Sequence, residues 1–246
     1  MDDGSLRIRD AILTHPGKVR SDNEDHVLAR PEEGLWAVAD GMGGHANGKW
    51  SSRTIVNALE AATLPADFDA ASSAAAAAVH KANERIWLKA GGQPMGSTVV
   101  VLLLRERRFA VFWAGDSRCY LLRAGKLYQL TVDHSQVQEM VASGRLTAEE
   151  AENHPMAHVL SRAVGVGPQL ELDAVSDEAK VGDVFLVCSD GLTRVIPDDE
   201  LATILAKGNP GAAADSLVTT CLERGAPDNV SVAVVACDET TLLALA

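Results

Sequence analysis

The run Leu35-Trp36-Ala37-Val38-Ala39 is apolar throughout and stops at Asp40; three of the next four residues are glycine: Gly41, Gly43 and Gly44. A short apolar run bounded by a turn reads as a buried strand. Backbone without side chains can approach a bound ion or phosphate closely. A carboxylate at such a strand end suits a hard cation; it suits an ordinary strand-to-helix turn equally well, and this stretch alone leaves both open. Three other places repeat the form: Ala114-Gly115-Asp116-Ser117, Cys188-Ser189-Asp190-Gly191 and Pro227-Asp228-Asn229-Val230. Glu24-Asp25 makes a fifth acidic site. A lone Asp-Gly is most often a turn. Several together carry more weight, because like charges gather within a fold only where cations compensate them. Oxygen donors select magnesium, manganese or calcium over zinc or copper.

Composition narrows the partners. A net charge of -12 lacks the basic footprint that nucleic acid or an anionic membrane requires. Cys119, Cys188, Cys221 and Cys237 show no CxxC spacing, so buried free thiols in a reducing compartment are expected. The N-terminus has no basic-then-apolar signal, and the aliphatic run 99–104 is far too short for a bilayer, so a cytoplasmic protein is expected. With 246 residues, no internal repeat and no linker, the expectation is a single domain spanning 1–246, large enough for a core without disulfides.

Along the chain, strands are expected at 5–15, 27–29 and 35–39, with a polar loop at 19–25 between the first two. Helical spacing covers 47–62, and the alanine-rich stretch 70–90 forms a second helix. Runs at 97–104, 108–114, 118–123 and 126–130 are separated by such short connections that they read as one antiparallel meander. Ser135 with Gln138, and Thr147 with Glu150, fit the capping-box pattern and predict short helices at 135–143 and 147–153. The irregular stretch that follows reads as part of a flap. A strand at 181–188, a helix at 199–207 capped by Asp198, a helix at 211–224 and a last strand at 230–236 complete an α+β chain. His154 and His158 are no zinc pair, because Pro155 disfavours the helix that would align them. Asp133-His134-Ser135 reads as a turn and helix cap, since adjacent residues cannot take up triad geometry.

The ordered set Arg20-Ser21-Asp22-Asn23-Glu24-Asp25, Ala39-Asp40-Gly41-Met42-Gly43-Gly44-His45, Met95-Gly96-Ser97-Thr98, Gly115-Asp116-Ser117-Arg118, Asp133-His134-Ser135, Ser161-Arg162-Ala163-Val164-Gly165, Ser189-Asp190-Gly191 and Asp228-Asn229-Val230-Ser231 resembles the bacterial metal-dependent protein phosphatases of the serine/threonine type 2C kind. The resemblance runs from about residue 8 to 236. It implies a central sandwich of two mainly antiparallel sheets flanked by helices, in four layers, with a small flap at about 135–165. It also implies two Mg2+ or Mn2+ ions and a third, weaker one. Asp40 would bridge the two ions, Asp190 and Asp228 would complete the first, and the Gly41 carbonyl would bind the second, with Glu24 and Asp25 supporting it. Asp116 with Asp190 would hold the third ion, and Arg20 would clamp the phosphate.

The expected reaction is hydrolysis of phosphoserine and phosphothreonine on proteins by water activated between the ions, opposing a serine/threonine kinase, in a monomer. Two alternatives remain: a catalytically weak module that binds phosphoproteins or regulates a kinase, and a hydrolase of small phosphate esters. Met42 stands where eukaryotic members carry a histidine, which leaves the general acid unassigned, with His45 one candidate. Lys49-Trp50 replaces the acidic and small residues the pattern leads one to expect.

Overall fold

The computed structural model describes residues 6–44, 46–152, 154–156 and 159–239. In chain order its first elements are β1 (Leu6–His15), β2 (His26–Arg30), β3 (Leu35–Ala39), β4 (Gly41–Met42), α1 (Ala46–Glu60) and α2 (Phe68–Ala90). Then come β5 (Gly96–Ser97), β6 (Val99–Arg105), β7 (Arg108–Ala114), β8 (Arg118–Arg123) and β9 (Lys126–Gln129). The chain continues through α3 (Gln136–Ala142), α4 (Ala148–Glu152), β10 (Asp173–Glu178), β11 (Val184–Cys188), α5 (Asp190–Thr193), α6 (Asp198–Leu205), α7 (Pro210–Glu223) and β12 (Val230–Glu239).

Two five-stranded antiparallel sheets form, in the orders β1-β12-β11-β8-β9 and β10-β7-β6-β3-β2, beside a small β4-β5 ladder. Strict alternation along the strands builds the layers, because successive side chains point to opposite faces. In β3, Trp36 and Val38 meet Phe185, Val187, Ala233 and Val235 in the core between the sheets. Leu35, Ala37 and Ala39 face the other way, onto a cluster that holds Ile55 and Leu59 of α1 and Val79 and Ile86 of α2. On the opposite outer face, Val230, Val232 and Val234 of β12 pack with Leu201 of α6 and Leu217 and Cys221 of α7. These are the four expected layers. Both faces of each sheet are covered, so the central strands read as unbroken apolar runs rather than alternating ones.

Helix α2 carries alanine at buried positions 71, 75, 78 and 82, and this small-residue face lies in the same cluster as α1 and the sheet. The Asp67 side chain caps it by accepting from Ala70 N–H at 2.8 Å. Trp50 has a clear place: half-buried against the same cluster, its ring takes Lys89 at 4.4 Å and Arg85 at 5.6 Å from its centroid. Lys49 pairs with Asp22 at 3.1 Å.

Three expectations are corrected. The meander is split: β6-β7 and β8-β9 are hairpins, but β7 pairs onward with β10 and β8 with β11, in different sheets. Gly115, at φ +113°, turns the chain from one sheet to the other, and a side chain there would lie 2.6 Å from Thr98. Strand β10, lying in a polar stretch, carries too little apolar pattern to be expected. Pro197, not Asp198, is the N-cap of α6; Asp198 is its first residue. Both flap caps form: Ser135 Oγ accepts from Gln138 N–H at 3.3 Å, and Thr147 and Glu150 bond reciprocally. All four cysteines are free and buried. Among the described residues no helix is long and apolar enough to cross a membrane.

Candidate metal centre

The antiparallel registers put the acidic strand ends on one edge of the sandwich. His26 is opposite Ala39, so Glu24-Asp25, entering β2, arrive beside Asp40, leaving β3. Cys188 is opposite both Val232 and Arg118, so Asp190, Asp228 and Asp116 share the matching edge of the other sheet. Asp40 is fixed through its backbone, accepting from Thr98 N–H and the Ser97 hydroxyl, each at 2.8 Å, and donating to Thr98 Oγ1 at 3.1 Å. Thr98 Oγ1 is in turn 2.7 Å from Ser117 Oγ, which ties the floor to the crossover that carries Asp116.

Close backbone contacts set the spacing of the carboxylates. A side chain at Gly191 would lie 1.9 Å from the Asn229 carbonyl, and one at Gly48 would lie 1.9 Å from Glu24 Oε2. Asn229 accepts from Glu24 N–H at 2.8 Å and donates to the carbonyls of Pro16 and Asp22 at 2.9 Å, which fixes the entry to β2. Ser189 donates to Asp25 Oδ2 at 2.8 Å. Asn229, Ser189 and Thr98 stand within the sequence motifs, but their supporting roles were not legible there, because hydroxyls and amides at strand ends carry no signal of their own.

A cavity of about 640 Å³ opens over this edge, lined among others by Arg20, Glu24, Asp40, Gly41, Asp116, Asp190 and Asp228. Asp25 lies beneath it, 3% exposed. Burial above all, and then the charge of Asp190, pushes the Asp25 carboxyl up to about 7. Burial, with Asp190 and Asp133, pushes Asp116 up to about 8. Asp40 is held well above the usual carboxylate range by burial and by the charges of Asp25, Asp190, Asp116 and Asp228. Asp40 thus feels the other four expected aspartates, with Glu24 and Gly41 on the same cavity wall.

Two arginines enter the cluster. Arg20 Nη2 lies 2.8 Å from Asp228 Oδ2. Arg194, which the sequence did not single out, pairs with Asp190 and stands 3.8 Å from Asp228 and 4.0 Å from Asp116. Among the described residues no three His, Cys, Asp or Glu side chains already stand at ligating geometry around one point. Arg20 and Arg194 offset part of the mutual repulsion of Asp116, Asp190 and Asp228. The donor set still fits a hard divalent cation. Every donor is an oxygen, and the buried Asp25 Oδ1 has no hydrogen-bond partner; such an orphan acceptor calls for a cation or a water.

The neighbouring motif separates into structural roles. Arg118 holds Asp133 through a two-pronged pair. His134 stacks on Trp113 with ring centroids 6.1 Å apart, accepts from Gly115 N–H at 3.1 Å, and faces Arg162 and Asp173; Ser135 caps α3. No triad forms. Burial pushes the Cys221 and Cys237 thiols up to about 11 and 12, which rules out a ready thiolate there. His45 and His158 lie outside the described residues.

Residues 13–140 match the family model for protein phosphatase 2C. The chain is 37% identical over 237 residues to the serine/threonine protein phosphatase PstP of Mycobacterium tuberculosis; the match takes in 94% of this chain but 45% of that relative. It thus spans about half the length of that curated relative. Among solved structures it resembles one described as PppA, a key regulatory component of T6SS in Pseudomonas aeruginosa, with a TM-score of 0.88 and 43% identity over 95% of this chain and 99% of that one. It also resembles the catalytic domain of PstP in complex with two manganese ions, with a TM-score of 0.83 and 35% identity, covering 95% of this chain and 100% of that one.

Proposed function

The chain belongs to the protein phosphatase 2C family, and from that premise we propose that it hydrolyses phosphoserine and phosphothreonine on proteins, opposing a serine/threonine kinase in the cytoplasm. The observation that carries the reading is the convergence of Asp25, Asp40, Asp116, Asp190 and Asp228 on one cavity edge, where burial and mutual repulsion raise three of them. Mg2+ or Mn2+ would be held by Asp40, Asp190, Asp228 and the Gly41 carbonyl, supported by Glu24 and Asp25, with Asp116 and Asp190 taking a further ion. When bound, such ions lower the pKa of water and offset phosphate charge.

The residues of the chain supply the rest. Arg20 stands largely exposed at the rim, tethered to Asp228 through one nitrogen, and its remaining N–H groups can receive a phosphate in a planar fork. Likeness to PppA supports a phosphoprotein substrate within the control of a secretion apparatus.

The test is hydrolysis of a phosphothreonine peptide by the purified chain, with Mn2+ and with chelator. Activity is expected only with metal. Asp40→Asn is expected to lower kcat/KM by about a thousandfold or more while the circular dichroism spectrum stays unchanged. Full activity in chelator, or in Asp40→Asn, defeats the reading.

A further inference from the structure

Arg194 is placed by helical geometry rather than by chance. It follows Asp190 by four residues across α5, its N–H bonds the Asp190 carbonyl at 2.9 Å, and residues so spaced share a helix face. The side chain must therefore lie over the Asp190 carboxylate. From there it reaches Asp228 at 3.8 Å and Asp116 at 4.0 Å, each carried by a different strand end. One monovalent cation thus spans three of the carboxylates that, on the reading above, hold divalent ions. Its side chain is only about one-third exposed, so its charge is felt at short range with limited screening.

We propose that Arg194 is an internal competitor for divalent cations: paired with Asp190 and beside Asp116, it lowers the affinity of that side of the centre for Mg2+ or Mn2+. A guanidinium paired with Asp190 and within 4.0 Å of Asp116 repels an incoming ion and competes for the same carboxylates. The ion must displace it, so binding there is an exchange of cations and not a simple addition. Without Arg194 the same carboxylates are more repulsive when empty and more attractive to metal. The inference rests on the proposed metal centre, and its test is a comparison of binding, independent of turnover.

The metal-stripped chain, wild type and Arg194→Met, would be titrated with Mn2+, reading free Mn2+ by electron paramagnetic resonance and heat by calorimetry. Methionine keeps an unbranched stem and removes the charge; Arg194→Gln carries the comparison should the first variant not fold. Arg194→Met is expected to bind its weakest Mn2+ about tenfold more tightly or better. Its stripped form is expected to melt lower than wild type, with a larger rise on adding Mn2+. Arg194→Lys, which keeps the charge, is expected to bind close to wild type. Equal or weaker Mn2+ binding in Arg194→Met overturns the inference. So does an unchanged Mn2+ isotherm with a raised KM for phosphopeptide, which would assign Arg194 to the substrate. A wild type that takes up no Mn2+ would sink the metal centre itself, and this inference with it.

Discussion

Asp25 is the residue where burial and function pull hardest against each other. Its carboxyl is buried with one oxygen unpartnered, yet at neutral pH much of it must ionise beside Asp190. Asparagine keeps the shape and the Ser189 contact and removes the charge. Asp25→Asn is therefore expected to raise the melting temperature of the metal-stripped protein at pH 8 by a few degrees, about 1 kcal/mol. It is also expected to shrink the further rise that Mn2+ brings. Differential scanning fluorimetry with and without Mn2+ checks both; a melting point that falls in the stripped state would show that Asp25 is better satisfied than its surroundings suggest. Stabilisation bought at the cost of the bound state is the pattern expected of a functional carboxylate.

At the scale of elements, the centre depends on how closely the turn into α5 approaches the turn into β12. Gly191 makes that approach possible: the first carbon of any side chain would meet the Asn229 carbonyl, which is backbone and cannot swing away. Gly191→Ala is expected to cost about 2–4 kcal/mol in urea unfolding and to part Asp190 from Asp228. Gly182→Ala, with nothing within 4 Å but at φ +87°, should be strained by its dihedral alone and cost about 1 kcal/mol or slightly more. If Gly191→Ala unfolds no more easily than Gly182→Ala, the close approach does not limit the fold. The flap is tied to the same edge through His134, which joins Gly115 to Arg162 and Asp173.

For the molecule as a whole, the raised carboxyls link stability to pH. Asp25 and Asp116 titrate near 7 and 8 in the folded state and near their ordinary values when unfolded. The folded state then binds more protons between about pH 4 and pH 8. Their stabilising contribution is complete below pH 4 and is lost as pH rises through 7 and 8. Metal-stripped protein is therefore expected to melt lower at pH 8 than at pH 6, and saturating Mn2+ is expected to narrow that difference. Melting curves across this range check it, and a stripped protein that gains stability over the same interval contradicts the assignment.

The residues by themselves determined the α+β class, most strands and helices, both flap caps and the repeated acidic strand ends, whereas a phosphate role for Arg20 came only from the resemblance. Apolar runs, glycine turns and capping pairs act over a few residues, and a sequence displays them directly. The resemblance added four layers, which the paired faces of β3 and β12 bear out. Only the tertiary structure decided that the chain leaves one sheet at Gly115 for the other, because covered strands look alike whichever sheet they join. Arg194 gained its partners the same way: its spacing from Asp190 is local, but Asp116 and Asp228 reach it from strands far away in the chain. Pairing between distant segments is set by register and packing, and those are properties of the folded molecule.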